Sequence, residues 1–261
     1  MNKNERQMLD ILKRLSNEHG VEEIKAEYEN EGSRADELSR LKDLTSTAGM
    51  DLLIKIGGVE AVTDIYQSLT LGVKSIVAPM AETAFAVSKF TDAIQKFVPE
   101  DNASEIDFLI NVETITAVEN FDSMLELPGF DHLSGITIGR VDLTASMGKD
   151  RAFANSNEML EICEKTLTKA RAKGLDTLTI GGAVSHDSEE FLRHLISKGL
   201  IERFETRKVV YPASTIESYA PALDAGIEFE LEWLKSKERY YHRLKVEDES
   251  RIKMLEVRLN G

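Results

Sequence analysis

The chain has 261 residues, 42% of them hydrophobic, and a formal charge of −14 at pH 7. That acidity opposes phosphate backbones and anionic lipid surfaces, so neither a nucleic acid nor a membrane is an expected partner. One cysteine precludes an internal disulfide, and no apolar run has the length of a membrane span or the form of a secretory leader, which makes the cytoplasm the expected compartment.

Residues 4–19 read as a helix with Met8, Ile11, Leu12 and Leu15 on one face. Seven β-branched runs follow: IKAEYE at 24–29, LLIKIGG at 52–58, SIVAPM at 75–80, FLINVE at 108–113, GITIGR at 135–140, TLTIGG at 177–182 and RFETRKVVY at 203–211. Between them lie helical stretches at 35–48, 58–70, 82–97, 114–125, 156–173 and 187–198, whose apolar residues recur every three or four positions. Gly49, Gly72, Gly174 and Gly199 close helices just before the next strand. Cys163 falls within one of these helices and reads as a small buried side chain.

Strands alternating with single helices imply parallel β-structure with right-handed crossovers. No G-x-G-x-x-G follows the first strand and no linker divides the chain, so the expectation is one α/β domain over 1–261, a TIM barrel rather than an open dinucleotide sheet. Seven runs are one short of eight. Either the barrel has an incomplete or atypical first strand, or a segment read as loop fills the gap. From 214 to 261 the chain is charged, aromatic and helical in pattern, interrupted at Pro221 and Gly226. Its stripe of Ile252, Leu255 and Leu259 suits a tail folded on its own barrel or, as we expect, an arm packed on a second copy in a homo-oligomer.

Active sites of such barrels lie at the C-terminal strand ends. Those ends carry Lys25, Glu27 and Glu29, then Lys55, then Asn111 and Glu113, then Arg140 and Asp142, and finally Glu205 and Arg207. Carboxylates converging from separate strands make a hard-oxygen site suited to Mg²⁺ or Mn²⁺. The five histidines are scattered, and His186 reads as a loop residue, so zinc chemistry has little support.

Three segments, in order, resemble the metal-dependent pyruvate aldolase and citrate lyase β-subunit family: GVKSIVAPMAETAFAV, FLINVETITAVENFDSML and ITIGRVDLTASMG. IKAEYENEGSR resembles the early strand of that family, and the likeness runs from about residue 20 to 211. Its most specific part is GxxDLxxSxG, from Gly139 to Gly148. The resemblance implies Glu113 and Asp142 as ligands of a divalent metal, with Asn111 where the family often has a glutamine. It places the backbone after Gly139, with Arg140 and Ser146, near the carboxylate of a 2-oxo acid. Two positions depart from the family: Tyr28 stands for its histidine, and Lys55 for its substrate arginine. Glu27 or Glu29 then becomes the candidate base, and Lys55 and Arg207 the candidate catalytic cations.

Each residue has a plainer role as well. Glu27 and Glu29 also suit a solvated rim, Lys55 a partner for a barrel carboxylate, and Arg140 a partner for Glu113 or Glu205. Asn111 also suits orienting Glu113, and Ser146 capping the turn that follows. The implied reaction is carbon–carbon lysis through a metal-held enolate of pyruvate or a related 2-oxo acid. The alternatives are an acyl-CoA lyase of citrate lyase β type, Schiff-base catalysis by Lys25, Lys55 or Lys208, and a non-catalytic barrel for binding or assembly.

Overall fold

The computed structural model describes residues 1–260. Helix α1 (Lys3–His19) opens with a reciprocal cap: the Asn2 side chain accepts the Glu5 N–H at 3.0 Å and the Glu5 carboxylate accepts the Asn2 N–H at 2.7 Å. The first half of the barrel is β1 (Glu23–Glu27), α2 (Ala35–Ala48), β2 (Asp51–Lys55), α3 (Val62–Leu71), β3 (Ser75–Ala78), α4 (Ala84–Phe97), a single turn α5 (Glu100–Ala103) and β4 (Asp107–Val112). Then come α6 (Ile115–Glu119), α7 (Phe121–Leu125), β5 (Gly135–Gly139), α8 (Arg140–Ser146), α9 (Asn157–Ala172), β6 (Thr177–Gly181), α10 (Glu189–Ser197), β7 (Arg203–Glu205), β8 (Val209–Pro212) and α11 (Tyr219–Asn260).

The strands close in sequence order into one barrel. β1 to β7 are parallel, as their crossover helices require, with Glu27 level with Lys55, Asn111 with Thr137, and Gly139 with Gly181. The eighth strand is the return limb of a hairpin. Expected as one strand, the run from Arg203 to Tyr211 is two, and β8 pairs antiparallel with both β7 and β1. Thr206 makes the turn: its N–H donates to the Val209 carbonyl at 3.0 Å and its hydroxyl accepts the Val209 N–H at 3.3 Å. The barrel therefore needs no strand before residue 20.

Alternate residues of each strand face the helices or the barrel axis. Outward residues such as Ile24, Ile54, Ile76, Ile110, Ile138 and Ile180 form the main core with the helices. Inside, Leu53, Val77, Leu109 and Val210 form a separate apolar plug. Toward the N-terminal strand ends, Glu23 takes the Ser75 hydroxyl at 2.6 Å and the Arg203 guanidinium at 3.0 Å. Toward the C-terminal ends the interior is polar.

Helix α11 runs 42 residues without a break. Pro221 sits in its first turn, where a missing N–H costs nothing. The first half packs through Leu223, Phe229 and Trp233 against the barrel and α1. Arg40 from α2 stacks between Trp233 and Tyr240, 5.7 and 4.0 Å from the ring centres. From His242 to Asn260 every residue is exposed. The predicted stripe of Ile252, Leu255 and Leu259 is therefore not folded back on its own barrel. No described helix is long and apolar enough to cross a membrane.

Candidate active site at the barrel mouth

A cavity of about 340 Å³ opens at the C-terminal ends of the strands. It collects Glu27, Lys55, Asn111, Glu113, Gly139, Asp142 and Arg207 from the sequence-derived set.

Glu113 directly follows β4 and is 1% exposed. Its Oε1 accepts the Met80 N–H at 3.0 Å, and its Oε2 accepts the Asn111 amide at 2.8 Å and the Lys55 ammonium at 3.3 Å. Met80 reaches this position with φ of 50°, a left-handed conformation that a non-glycine side chain adopts at a cost. Gly139 lets the neighbouring strand approach: a Cβ there would lie 2.7 Å from Glu113 Oε2. Asp142 stands in the first turn of α8 at the open edge of the cavity. Burial, and then the Glu113 charge, push its carboxyl above the ordinary range, so this pair favours an added cation.

The donor chemistry fits a hard divalent ion. Glu113 and Asp142 share the cavity, and the buried Asn111 Oδ1 has no hydrogen-bond partner. An ion there would compete with the long Lys55 contact to Glu113. Among the described residues no three His, Cys, Asp or Glu side chains cluster closely enough to enclose a metal, so water and substrate would complete the shell.

A second charged group adjoins the first. Lys25 lies 2.5 Å from Glu205 and 3.1 Å from Glu27, and Lys55 lies 3.1 Å from Glu29. Burial alone would raise the Glu27 carboxyl, but the Lys25 and Lys55 ammonium groups together outweigh it and hold it low. Burial likewise works against both lysine charges, yet the surrounding carboxylates raise Lys25 and Lys55 above the ordinary lysine value. Both remain ammonium ions, unsuited to Schiff-base attack, which needs a free amine. Lys208 is buried away from the cavity against Glu31 and Trp233.

Three expectations change. Arg140 does not pair with Glu113 or Glu205 and does not line the cavity. It begins α8 and is fully buried, donating to the carbonyls of Gly181 at 3.3 Å and Ala154 at 3.0 Å and to Asn155 Oδ1 at 2.8 Å, with Phe191 beneath it. Ser146 lies outside the cavity too, its hydroxyl joining the Leu143 carbonyl to the Ile115 N–H. Glu29 reaches the site only through Lys55. Tyr28 follows β1 on the opposite parity to Glu27, half-buried against the outer core.

Other cavity residues were not anticipated: Asn30, Thr137, Arg151 and, from α11, Ile227 and Glu230. Asn30 follows an identified strand end closely enough to have been found. The α11 pair depends on where a distant helix docks, which no local pattern reveals.

A model of the HpcH/HpaI aldolase/citrate lyase family matches residues 16–196. A 2-keto-3-deoxy-L-rhamnonate aldolase of Klebsiella pneumoniae is 29% identical over 133 residues, covering 42% of this chain and 48% of that protein. One of Salmonella paratyphi B is 27% identical over 158 residues, covering 52% and 57%. The chain thus spans about half the length of the curated relatives it matches. Among solved structures, an HpcH/HpaI aldolase from Desulfitobacterium hafniense superposes with a TM-score of 0.60 at 17% identity, covering 84% of this chain and 88% of that one. Citrate synthase SbnG superposes with a TM-score of 0.62 at 15% identity, covering 85% and 89%. At such identities the superpositions speak for the fold alone.

Proposed function

The chain belongs to the HpcH/HpaI aldolase/citrate lyase family, and we propose that it is a lyase that breaks or forms a carbon–carbon bond through the enolate of pyruvate or a related 2-oxo acid. One observation carries the reading: Glu113 and Asp142 line one cavity beside a buried, unpartnered amide oxygen of Asn111. Aldolases of this family generally depend on a divalent metal. Mg²⁺ or Mn²⁺ held by Glu113 and Asp142 would supply the charge that stabilises an enolate oxygen.

Charge balance supports the same view. The cavity wall bears Glu27, Glu113, Asp142, Glu205 and Glu230 against Lys25, Lys55, Arg151 and Arg207. A wall with more carboxylates than cations does not attract a 2-oxo acid by itself, and a divalent ion reverses that sign. Lys55 presents a fixed ammonium beside Glu113, where the oxo group would sit, and Arg207 is exposed on the rim for a distal anionic group. In cleavage, the substrate hydroxyl loses its proton, the adjacent C–C bond breaks, and its electron pair passes to the enolate, which is then protonated on carbon. Glu27, held low by two ammonium groups, is a weak acceptor for that proton. Glu29 bears on the cavity only through Lys55, so of the two candidates Glu27 is the carboxylate that lines the site.

The test is exchange of the methyl protons of pyruvate with D₂O in the presence of Mg²⁺ or Mn²⁺. We expect exchange in the native protein and none in Glu113→Gln or in chelator. Exchange that persists in both would refute the reading. A homo-oligomer is part of the proposal, supported by the uncovered apolar residues of α11.

A further inference from the structure

The same cavity holds polar groups that the metal site does not use, and they bear on the second substrate; the inference rests on the lyase reading above. Glu205 lies on β7, three strands from Glu113, and is 3% exposed. Its Oε1 takes the Lys25 ammonium, whereas its Oε2 is buried with no hydrogen-bond partner. Thr137, on β5 next to Asn111, is 2% exposed, and its Oγ1 also lacks a partner. Between them β6 contributes Gly181, which has no side chain. A Cβ there would fall 3.0 Å from Glu205 Oε1 and 3.1 Å from its Cγ, so the glycine makes room for the carboxylate.

A buried acceptor left unpaired is costly, and a ligand that satisfies it relieves that cost. The surrounding charges select the ligand. A carboxylate or phosphate is repelled by Glu205 and Glu27. A second ammonium is opposed by Lys25, which already neutralises Glu205. A neutral hydroxyl meets both needs: it donates to Glu205 Oε2 and accepts from the Thr137 hydroxyl.

We propose that Glu205 and Thr137 determine specificity for a hydroxyl on the aldehyde partner, on the carbon next to the reacting carbonyl. This hydroxyl is recognised and is not changed in the reaction.

The experiment compares kcat/KM for pyruvate addition to glycolaldehyde, propionaldehyde and aminoacetaldehyde, which differ only in OH, CH₃ or NH₃⁺ at that carbon. The native enzyme should prefer glycolaldehyde over propionaldehyde by roughly tenfold or more, because a site built to bond a hydroxyl is left unpaired by its analogue. Glu205→Gln and Thr137→Val should each shrink that ratio. A merely structural defect lowers both rates together and leaves the ratio unchanged. Thr137→Val conserves shape and keeps the test valid if Glu205→Gln folds poorly. Native exchange of pyruvate protons with an unaltered ratio in both variants overturns this proposal alone, as does a preference for aminoacetaldehyde. Absence of native exchange overturns the enolate reading and this proposal with it.

Discussion

Gly139→Ala probes the role of Glu113 while leaving its carboxylate chemically intact. A Cβ at this position would lie 2.7 Å from Glu113 Oε2 and 2.8 Å from Glu113 Cβ. The oxygen can swing aside, but the Cβ is fixed to the chain, so Glu113 must turn or β4 must move. The Gly139 backbone, at φ −87° and ψ 88°, is outside the left-handed region, so the cost is steric. Overpacking by one methyl group costs about 1–3 kcal/mol. Turning Glu113 also threatens its bonds from Met80 N–H at 3.0 Å and the Asn111 amide at 2.8 Å. Hydrogen bonds to a charged group are worth about 1.5–3 kcal/mol each, so losing one would weaken cation binding by roughly 10- to 100-fold. Calorimetric titration with Mn²⁺ measures this directly, and a melting curve shows whether the barrel survives a few degrees lower. Unchanged Mn²⁺ affinity in a variant whose melting point has fallen would show that Glu113 is not a ligand.

Further expectations test the surrounding structure. Arg140→Met should destabilise the protein by roughly 2–4 kcal/mol in urea unfolding, because buried acceptors lose their donor. A large loss of kcat/KM with unchanged stability would instead return Arg140 to the substrate. At the α2–α11 contact, burial would raise the Glu37 carboxyl, but the Tyr241 hydroxyl and the Arg34 N–H hold it below 4.5. Its stabilisation is therefore complete above the unfolded value and fades as pH falls through the lower folded value. Emission from Trp233, the sole tryptophan, should report α11 loosening in that acid window, and Glu37→Gln should remove the step. Deleting residues 245–260, all exposed, should leave the melting point of the barrel nearly unchanged while reducing the sedimenting mass to one chain. A native protein that already sediments as a monomer would remove the arm from the proposal.

Much of the barrel was legible because its signals are local. β-branched runs, amphipathic helices and closing glycines place seven strand ends, and parity along β1 and β4 puts Lys25, Glu27, Asn111 and Glu113 on the inner face. Parity fails where the backbone changes type. β5 stops at Gly139 and α8 starts at Arg140, so counting by twos no longer says which way Arg140 points; its guanidinium turns into the protein. The hairpin was hidden because Thr206–Arg207–Lys208 sits inside what reads as one β-rich run, and only closure of the sheet requires the chain to reverse there. The contribution of α11 to the cavity is a matter of docking. Ile227 and Glu230 carry no local mark that distinguishes them from a solvent-facing turn.

The four-residue plug of Leu53, Val77, Leu109 and Val210 leaves the two polar ends of the barrel in electrical contact, because Glu23 at the far end still feels the Glu205 charge at the mouth. Beside the plug, the fully buried Thr179 hydroxyl accepts from the Arg203 guanidinium at 3.3 Å and lies level with Thr137 at the mouth. A substitution in the Glu23–Arg203 pair at the far end would therefore also retune the groups that would handle substrate. An added charge in the plug itself, at Leu109 for instance, would strengthen that coupling and be felt at both ends.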